Sequence, residues 1–140
     1  MISIIIPAHN EFDNLQRLFK VACFIEHEKL LEIIVAVSPC NTDTIDMLEC
    51  SQKVKVLHCK DKGRAAQMNE ASQAALGNTL VFLHADVVPP QEFIDDILRS
   101  FKNGYAAGFF TYRFEGKSFK FSIGCFIQIR LPRQQTKNTS

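Results

Sequence analysis

An excess of charge of either sign is missing from this 140-residue sequence, in which 16 Lys and Arg stand against 15 Asp and Glu for a net charge of +1. Bulk attraction to polyanions is therefore absent, and nucleic acid is not an expected partner. No CxxC pair occurs. The five cysteines, Cys23, Cys40, Cys50, Cys59 and Cys125, are odd in number and widely spaced, which argues against both a disulfide framework and a zinc knuckle and makes a reducing cytoplasm the simplest compartment. No apolar run approaches the ~18 residues of a membrane span. The apolar opening at 2–6 is too short for a signal-peptide core, has no basic leader and is halted by Pro7. Any contact with a membrane is expected at its surface. Internal repeats and linkers are missing too, so the chain reads as one domain, burying roughly 68% of its unfolded surface.

What the sequence does have is an alternation of short apolar runs with helical patterns. The runs, rich in Ile and Val, fall at 2–6, 32–37, 54–58 and 80–84, with a looser one at 105–114. Continuous rather than alternating apolar character implies strands covered on both faces, as in a parallel sheet. Helices are expected between them over 11–26, 42–50, 63–76 and 90–101. The fold class is therefore α/β, a mostly parallel, doubly wound sheet flanked by helices. Asn10 is expected to cap the first helix, Gly77-Asn78 to end the third, and Pro89-Pro90 to start the fourth. Residues 119–131 carry two patterns at once: every odd position is apolar, a strand signal, while Phe119, Ile123, Phe126 and Ile127 fit a helical stripe. The polar, patternless 132–140 is expected to be a frayed tail.

In an open α/β sheet, ligands bind beyond the carboxyl ends of the strands, and polar residues are concentrated there. Pro7 is expected to end the first strand and to free the backbone of Ala8 and His9 for a nucleobase or ribose, with Glu11 following at the helix start. Asn10 and Glu11 also suit plain helix capping. The second strand leads into Ser38-Pro39-Cys40-Asn41-Thr42-Asp43; Asn41 or Thr42 can cap the next helix, and Asp43 reads as a first-turn residue of that helix. Gly63 permits a tight approach, and Arg64 brings five donors to the unfavourable end of a helix dipole, a mild misfit that suits an anion. Gln67 and Asn69 read as polar residues on the exposed face of an alanine-rich helix. After the fourth strand, His84-Ala85-Asp86 places a carboxylate suited to a divalent metal, with Ala85 keeping the turn narrow; a turn-capping Asp86 and a core His84 are the structural alternative.

The segments Ile6-Pro7-Ala8-His9-Asn10-Glu11, Gly63-Arg64-Ala65-Ala66-Gln67-Met68-Asn69 and Leu83-His84-Ala85-Asp86, in this order, resemble the family-2 glycosyltransferases of the GT-A fold. Within them they are most similar to the radical-SAM/selenodomain-associated transferase 2 subgroup. The resemblance covers residues 1–131 and implies a Rossmann-like nucleotide-sugar-binding domain. By that resemblance Pro7, Ala8, His9, Glu11, Ser38, Arg64, Ala85 and Asp86 would line the nucleotide. Asp86 and His84 would hold Mn²⁺ or Mg²⁺, the imidazole tilting the choice toward manganese. The expected reaction is inverting, metal-assisted transfer of a sugar from a nucleoside diphosphate sugar to an unknown acceptor.

Three departures from the family pattern qualify this. Val37 or Ser38 occupies the position where the family carries an acid that reads the base. His84 stands in for the first acid of Asp-x-Asp. The subgroup's carboxylate base, in a Gly-Asp-Gln segment after Leu-Pro, has no counterpart after Leu131-Pro132, which is followed by Arg133-Gln134-Gln135. The base and the acceptor half are thus expected to be absent, the chain to be truncated at its C-terminus, and Glu115 to be the fallback base. The alternative is a catalytically defective homologue that binds nucleotide or acts as an interaction module. A nucleotidyltransferase would need a glycine-rich basic loop after the first strand, and Pro7-Ala8-His9-Asn10 is not one. The resemblance favours a helix over 119–131, and the basic residues in 117–133 offer a peripheral contact to anionic lipid beside the plainer reading of a core-packing helix with basic ends.

Overall fold

A computed structural model describes residues 1–43, 45, 51–110 and, through their backbone, 127–129. Strand β1 (Ile2–Ala8) is followed by helix α1 (Phe12–Val21), a 3-10 turn (Cys23–Glu26), β2 (Leu30–Val37) and β3 (Val54–His58). Helix α2 (Arg64–Ala74), β4 (Thr79–Phe82), α3 (Phe93–Lys102), β5 (Ala107–Gly108) and β6 (Ile127–Ile129) complete the described elements. The sheet order is β3-β2-β1-β4-β6-β5, with β3, β2, β1 and β4 parallel and β6 antiparallel to both of its neighbours.

The apolar runs become strands because both sheet faces are covered. Ile2, Ile4, Ile6 and Ala8 point to one face, where they join Leu15 and Leu18 of α1 and Phe93, Ile94 and Ile97 of α3. Ile5 points to the other, against Ile34, Ala36 and Leu80 and the alanines Ala71 and Ala75 of and just after α2. Each of the fully buried isoleucines contributes ~1.5–3 kcal/mol of transfer free energy. The helices lie on opposite faces, and the strand order runs one way from β1 through β2 and β3 and the other way to β4. The reversal between β1 and β4 is the topological switch point at which such sheets bind ligands.

Several boundaries differ from the sequence expectation, each for a local reason. Pro7 lies inside β1 rather than ending it, since Pro7 and Ala8 pair with Ala36 and Val37 of β2. The Leu83 N–H donates to the Ile5 carbonyl, so odd-numbered residues of β1 turn toward β4. The missing N–H of Pro7 therefore ends only the β4 ladder, and the β2 ladder runs on. The first helix stops at Val21 and continues only as the 3-10 turn. Helix α2 ends at Ala74, with Ala75 N–H donating to Ala71 O, so Gly77 does not terminate it. Instead the Gly77 N–H donates to Ser3 Oγ at 2.8 Å, and a Cβ there would sit 2.6 Å from that oxygen and 2.7 Å from Ser3 N. Gly77 is a close-approach glycine. Helix α3 begins at Phe93, whose N–H donates to Pro90 O, so the prolines precede it by a turn.

Ile127–Ile129 is a strand, not part of a helix. It pairs with the edge of β4 from Thr79 to Val81, whose backbone groups would otherwise lack partners on that side, so the strand half of the double pattern prevails there. The remainder of 119–131, most of the helix expected at 42–50, the distal part of the run at 105–114, Glu115 and the tail 132–140 lie outside the described residues. Among the described residues no helix is long and apolar enough to cross a membrane.

Candidate functional site

At the carboxyl end of β1 the chain turns sharply at Asn10, the one described non-glycine residue with positive φ, at 56°. Asparagine tolerates this region because its short polar side chain can bond nearby backbone. It does not cap α1. Its Oδ1 accepts from Thr42 N–H at 2.9 Å and Thr42 Oγ1 at 3.1 Å, while Asn10 N–H donates to Asn41 Oδ1 at 2.8 Å. The cap comes from across the gap: Asp43 Oδ2 accepts from Phe12 N–H at 2.8 Å, and Asp43 Oδ1 is steadied by Asn41 Nδ2 at 2.6 Å. Asn10, Asn41 and Thr42, read individually from sequence as caps of their own helices, and Asp43, read as a first-turn residue, thus clamp the loop after β1 to the loop after β2. Glu11 takes the N-cap position of α1 through its carbonyl, which accepts from Leu15 N–H, and its carboxylate accepts from Asn14 Nδ2 at 2.6 Å.

Between these loops, Ser38 is buried and its N–H donates to Ala8 O at 3.0 Å. Its hydroxyl oxygen accepts from Cys40 N–H at 3.3 Å, closing a turn on itself. The Ala8 carbonyl is also taken by Gln67 Nε2 at 2.8 Å, and the second proton of that amide goes to Ala36 O at 2.6 Å. Both lone pairs of Ala8 O are then occupied. Contrary to expectation, that carbonyl is not free for a nucleobase. Gln67 is not on an exposed face either. It is 4% exposed and lies one turn before Ala71 on the buried ridge of α2, a position that the i, i+4 spacing of Gln67, Ala71 and Ala75 already encodes. Asn69 is exposed, as expected.

Across the switch point, His84-Ala85-Asp86 follows β4 as a turn closed by Val87 N–H donating to His84 O at 3.2 Å. Ala85 is buried, His84 half-buried and Asp86 exposed. Burial pushes the His84 pKa below its ordinary value, and the positive charge of Arg64 adds to this; Asp86 and Glu11 pull the other way. Arg64, Glu11 and Asp86 are thereby brought within electrostatic reach of one imidazole, although they come from three segments of chain. Arg64 opens α2 after Gly63, whose φ of 104° is one that side chains rarely adopt. Among the described residues no hydrogen bond or ion pair reaches the Arg64 guanidinium or the Asp86 carboxylate. The structural alternative of a turn-capping Asp86 has no bond to support it.

These side chains suit a divalent cation in one specific way. Among the described residues no three of His, Cys, Asp and Glu converge to hold a metal ion; the Asp86 carboxylate and the His84 imidazole are the pair that could contribute ligands. A cation that keeps several waters and takes substrate phosphate oxygens fits so sparse a set.

The sequence pattern of glycosyl transferase family 2 matches residues 3–139. The chain belongs to this family. An uncharacterized glycosyltransferase of Synechocystis is 26% identical over 148 residues, a match spanning 94% of this chain and 46% of that protein. Among solved structures, the mannosyltransferase PcManGT from Pyrobaculum calidifontis, in complex with GDP-Man and Mn²⁺, superposes with a TM-score of 0.56 at 19% identity. The match covers 70% of this chain and 31% of that one. Glucosyl-3-phosphoglycerate synthase from Mycobacterium tuberculosis, in complex with Mn²⁺, UDP and glucosyl-3-phosphoglycerate, gives a TM-score of 0.58 at 19% identity, over 72% of this chain and 39% of that one. The fold is the Rossmann-like GT-A fold. The chain spans about half the length of the first of these relatives and less of the other two.

Proposed function

We propose that the chain is the nucleoside-diphosphate-sugar-binding part of a metal-assisted, inverting glycosyltransferase. The observation that carries this reading is the convergence of Arg64, His84 and Asp86, with Arg64 and Asp86 uncommitted to the protein, at the β1/β4 switch point. Arg64 supplies forked donors to the diphosphate, and the backbone from His9, beside the half-buried Glu11, faces ribose and base. Asp86 and His84 would hold Mn²⁺ or Mg²⁺, whose charge offsets that developing on the departing diphosphate. Neutral His84 beside Arg64 adds no second positive charge of its own. That one structural relative carries GDP-mannose and another UDP, each with Mn²⁺, supports the metal and leaves the base open. Here no carboxylate stands at 37 or 38, so discrimination between bases by an acid at that point is not expected.

Titration calorimetry with UDP and GDP, with and without Mn²⁺, tests this. Wild type binds more tightly with metal, and Asp86→Ala removes the difference while remaining folded. Identical metal dependence in wild type and Asp86→Ala would remove the metal assignment, and absence of binding to either nucleotide would remove the function.

A further inference from the structure

We propose that Gln67 is a positioning residue that sets the spacing of the three segments forming this site: the end of β1, the end of β2 and the first turn of α2. The inference rests on the nucleotide reading above for its functional consequence, but its geometry does not. Three facts carry it. The Nε2 group donates to Ala8 O at 2.8 Å and to Ala36 O at 2.6 Å, the last and the next-to-last residues of adjacent strands. The residue is buried, so water does not substitute for either bond. Gln67 also lies one helical turn after Arg64, and its own N–H donates to Gly63 O at 3.0 Å, which ties the amide to the turn that presents the guanidinium.

The chemistry admits few substitutes. Both partners are carbonyl oxygens, so only a group with two protons on one atom at this reach satisfies both, which also fixes which end of the amide faces the strands. A carboxylate would set its charge against two acceptors. A methionine of similar length would fill the space and donate nothing. Because Ala8 O is shared between Gln67 and Ser38 N–H, releasing one bond perturbs the other, and the loop after β2 begins at Ser38. The strand ends could then drift relative to α2, and Arg64 would no longer be held opposite His84.

The test compares Gln67→Met with Ile97→Ala, a cavity in α3 on the sheet face opposite α2 that lowers stability without removing either Gln67 bond. Expected are a rise of about tenfold in the Kd for UDP with Mn²⁺ in Gln67→Met, as for two lost neutral bonds, and a Kd within about twofold of wild type in Ile97→Ala at an equal or larger fall in Tm. Equal Kd in Gln67→Met and wild type overturns the proposal. So does an equal loss of affinity in Ile97→Ala, which would make the effect one of stability alone. Hydrogen exchange reads the bridge without nucleotide: in wild type the Gln67 side-chain protons exchange slowly, and in Gln67→Met the Ser38 N–H loses protection while the Ala71 and Ala75 amides keep theirs. Fast exchange of the Gln67 amide in wild type overturns the proposal even if Gln67→Met does not fold. Should wild type bind neither UDP nor GDP, the functional reading falls, and the bridge stands or falls by the exchange pattern.

Discussion

Replacing Glu32 by glutamine tests the physical account of the sheet at its end opposite the site. Glu32 is 1% exposed, and its carboxylate gathers three partners from separate segments. Oε1 accepts from Ser3 Oγ of β1 at 2.8 Å and from the Leu76 N–H after α2 at 2.7 Å, and Oε2 accepts from Lys55 Nζ of β3 at 2.8 Å. Burial alone would raise the pKa of this carboxyl. The bonds from Lys55, the Leu76 N–H and Ser3, with the charge of Lys55, outweigh burial and hold it below its ordinary value. A glutamine keeps one acceptor oxygen for Ser3 and Leu76 but loses the charge. Lys55 is 54% exposed and can turn to water, so no stranded buried cation remains and the larger cost of breaking a buried pair does not apply. The loss is the Lys55 bond together with the charge assistance to the bonds from Ser3 and Leu76, about 1–2 kcal/mol at pH 7.

The pH dependence follows from the sign of the shift. A carboxyl depressed in the folded state contributes stability that is fully present above its unfolded pKa and is lost as pH falls through the folded value. Urea unfolding of wild type and Glu32→Gln should therefore show a stability gap that is constant from pH 7 to about 5.5 and closes below ~4.5. Other carboxyls titrate in both proteins and cancel in the difference. A gap that is absent at pH 7, or that persists unchanged to pH 3, would refute the reasoning.

Three further outcomes are expected. Arg64→Ala should weaken UDP binding by about 1.5–3 kcal/mol, a charge-assisted bond to phosphate, with Tm unchanged; calorimetry showing wild-type affinity would leave Arg64 a solvated helix residue. Gly77→Ala should cost about 1–3 kcal/mol in urea unfolding because the new Cβ meets the backbone of Ser3 as well as its side chain, and a neutral substitution would contradict the close approach. Asp43→Ala should cost about 1 kcal/mol as a lost cap and increase hydrogen exchange at the Phe12 N–H, which it bonds at 2.8 Å; unchanged exchange there would place the cap elsewhere.

The parts of this fold that were legible in sequence are those governed by local period. The Ile- and Val-rich runs of β1 and β2 became parallel strands because a residue buried on either face must be apolar, and the edge strand β3 falls at 54–58 as expected although its residues are exposed or only partly buried. What was not legible depends on partners distant in sequence. Pro7 reads as a strand end, yet a missing N–H matters only on the side where a neighbour continues, and β4 stops there. Asn10 and Asp43 are both capping residue types, and each serves a loop 31 or 32 residues away. Gly77 looks like a helix terminator and is instead space for Ser3.

The site shows the same division in sharper form. Arg64 and Asp86 were visible because a charged residue at a helix start or after a buried strand is conspicuous, and their side chains remain uncommitted in the fold. Gln67 is less conspicuous because a polar residue in an alanine-rich helix suggests an exposed face, although its spacing to Ala71 and Ala75 marks the buried ridge. A buried amide with two carbonyl partners is stable only where the backbone geometry is already determined, since an unsatisfied donor there costs ~1–3 kcal/mol. The two strand ends and the turn carrying Arg64 are therefore held rigid before any ligand arrives. On the proposed reading, a diphosphate entering beside His84 would meet the turn that carries Arg64 already in place, and the backbone part of the ordering cost would have been met by folding.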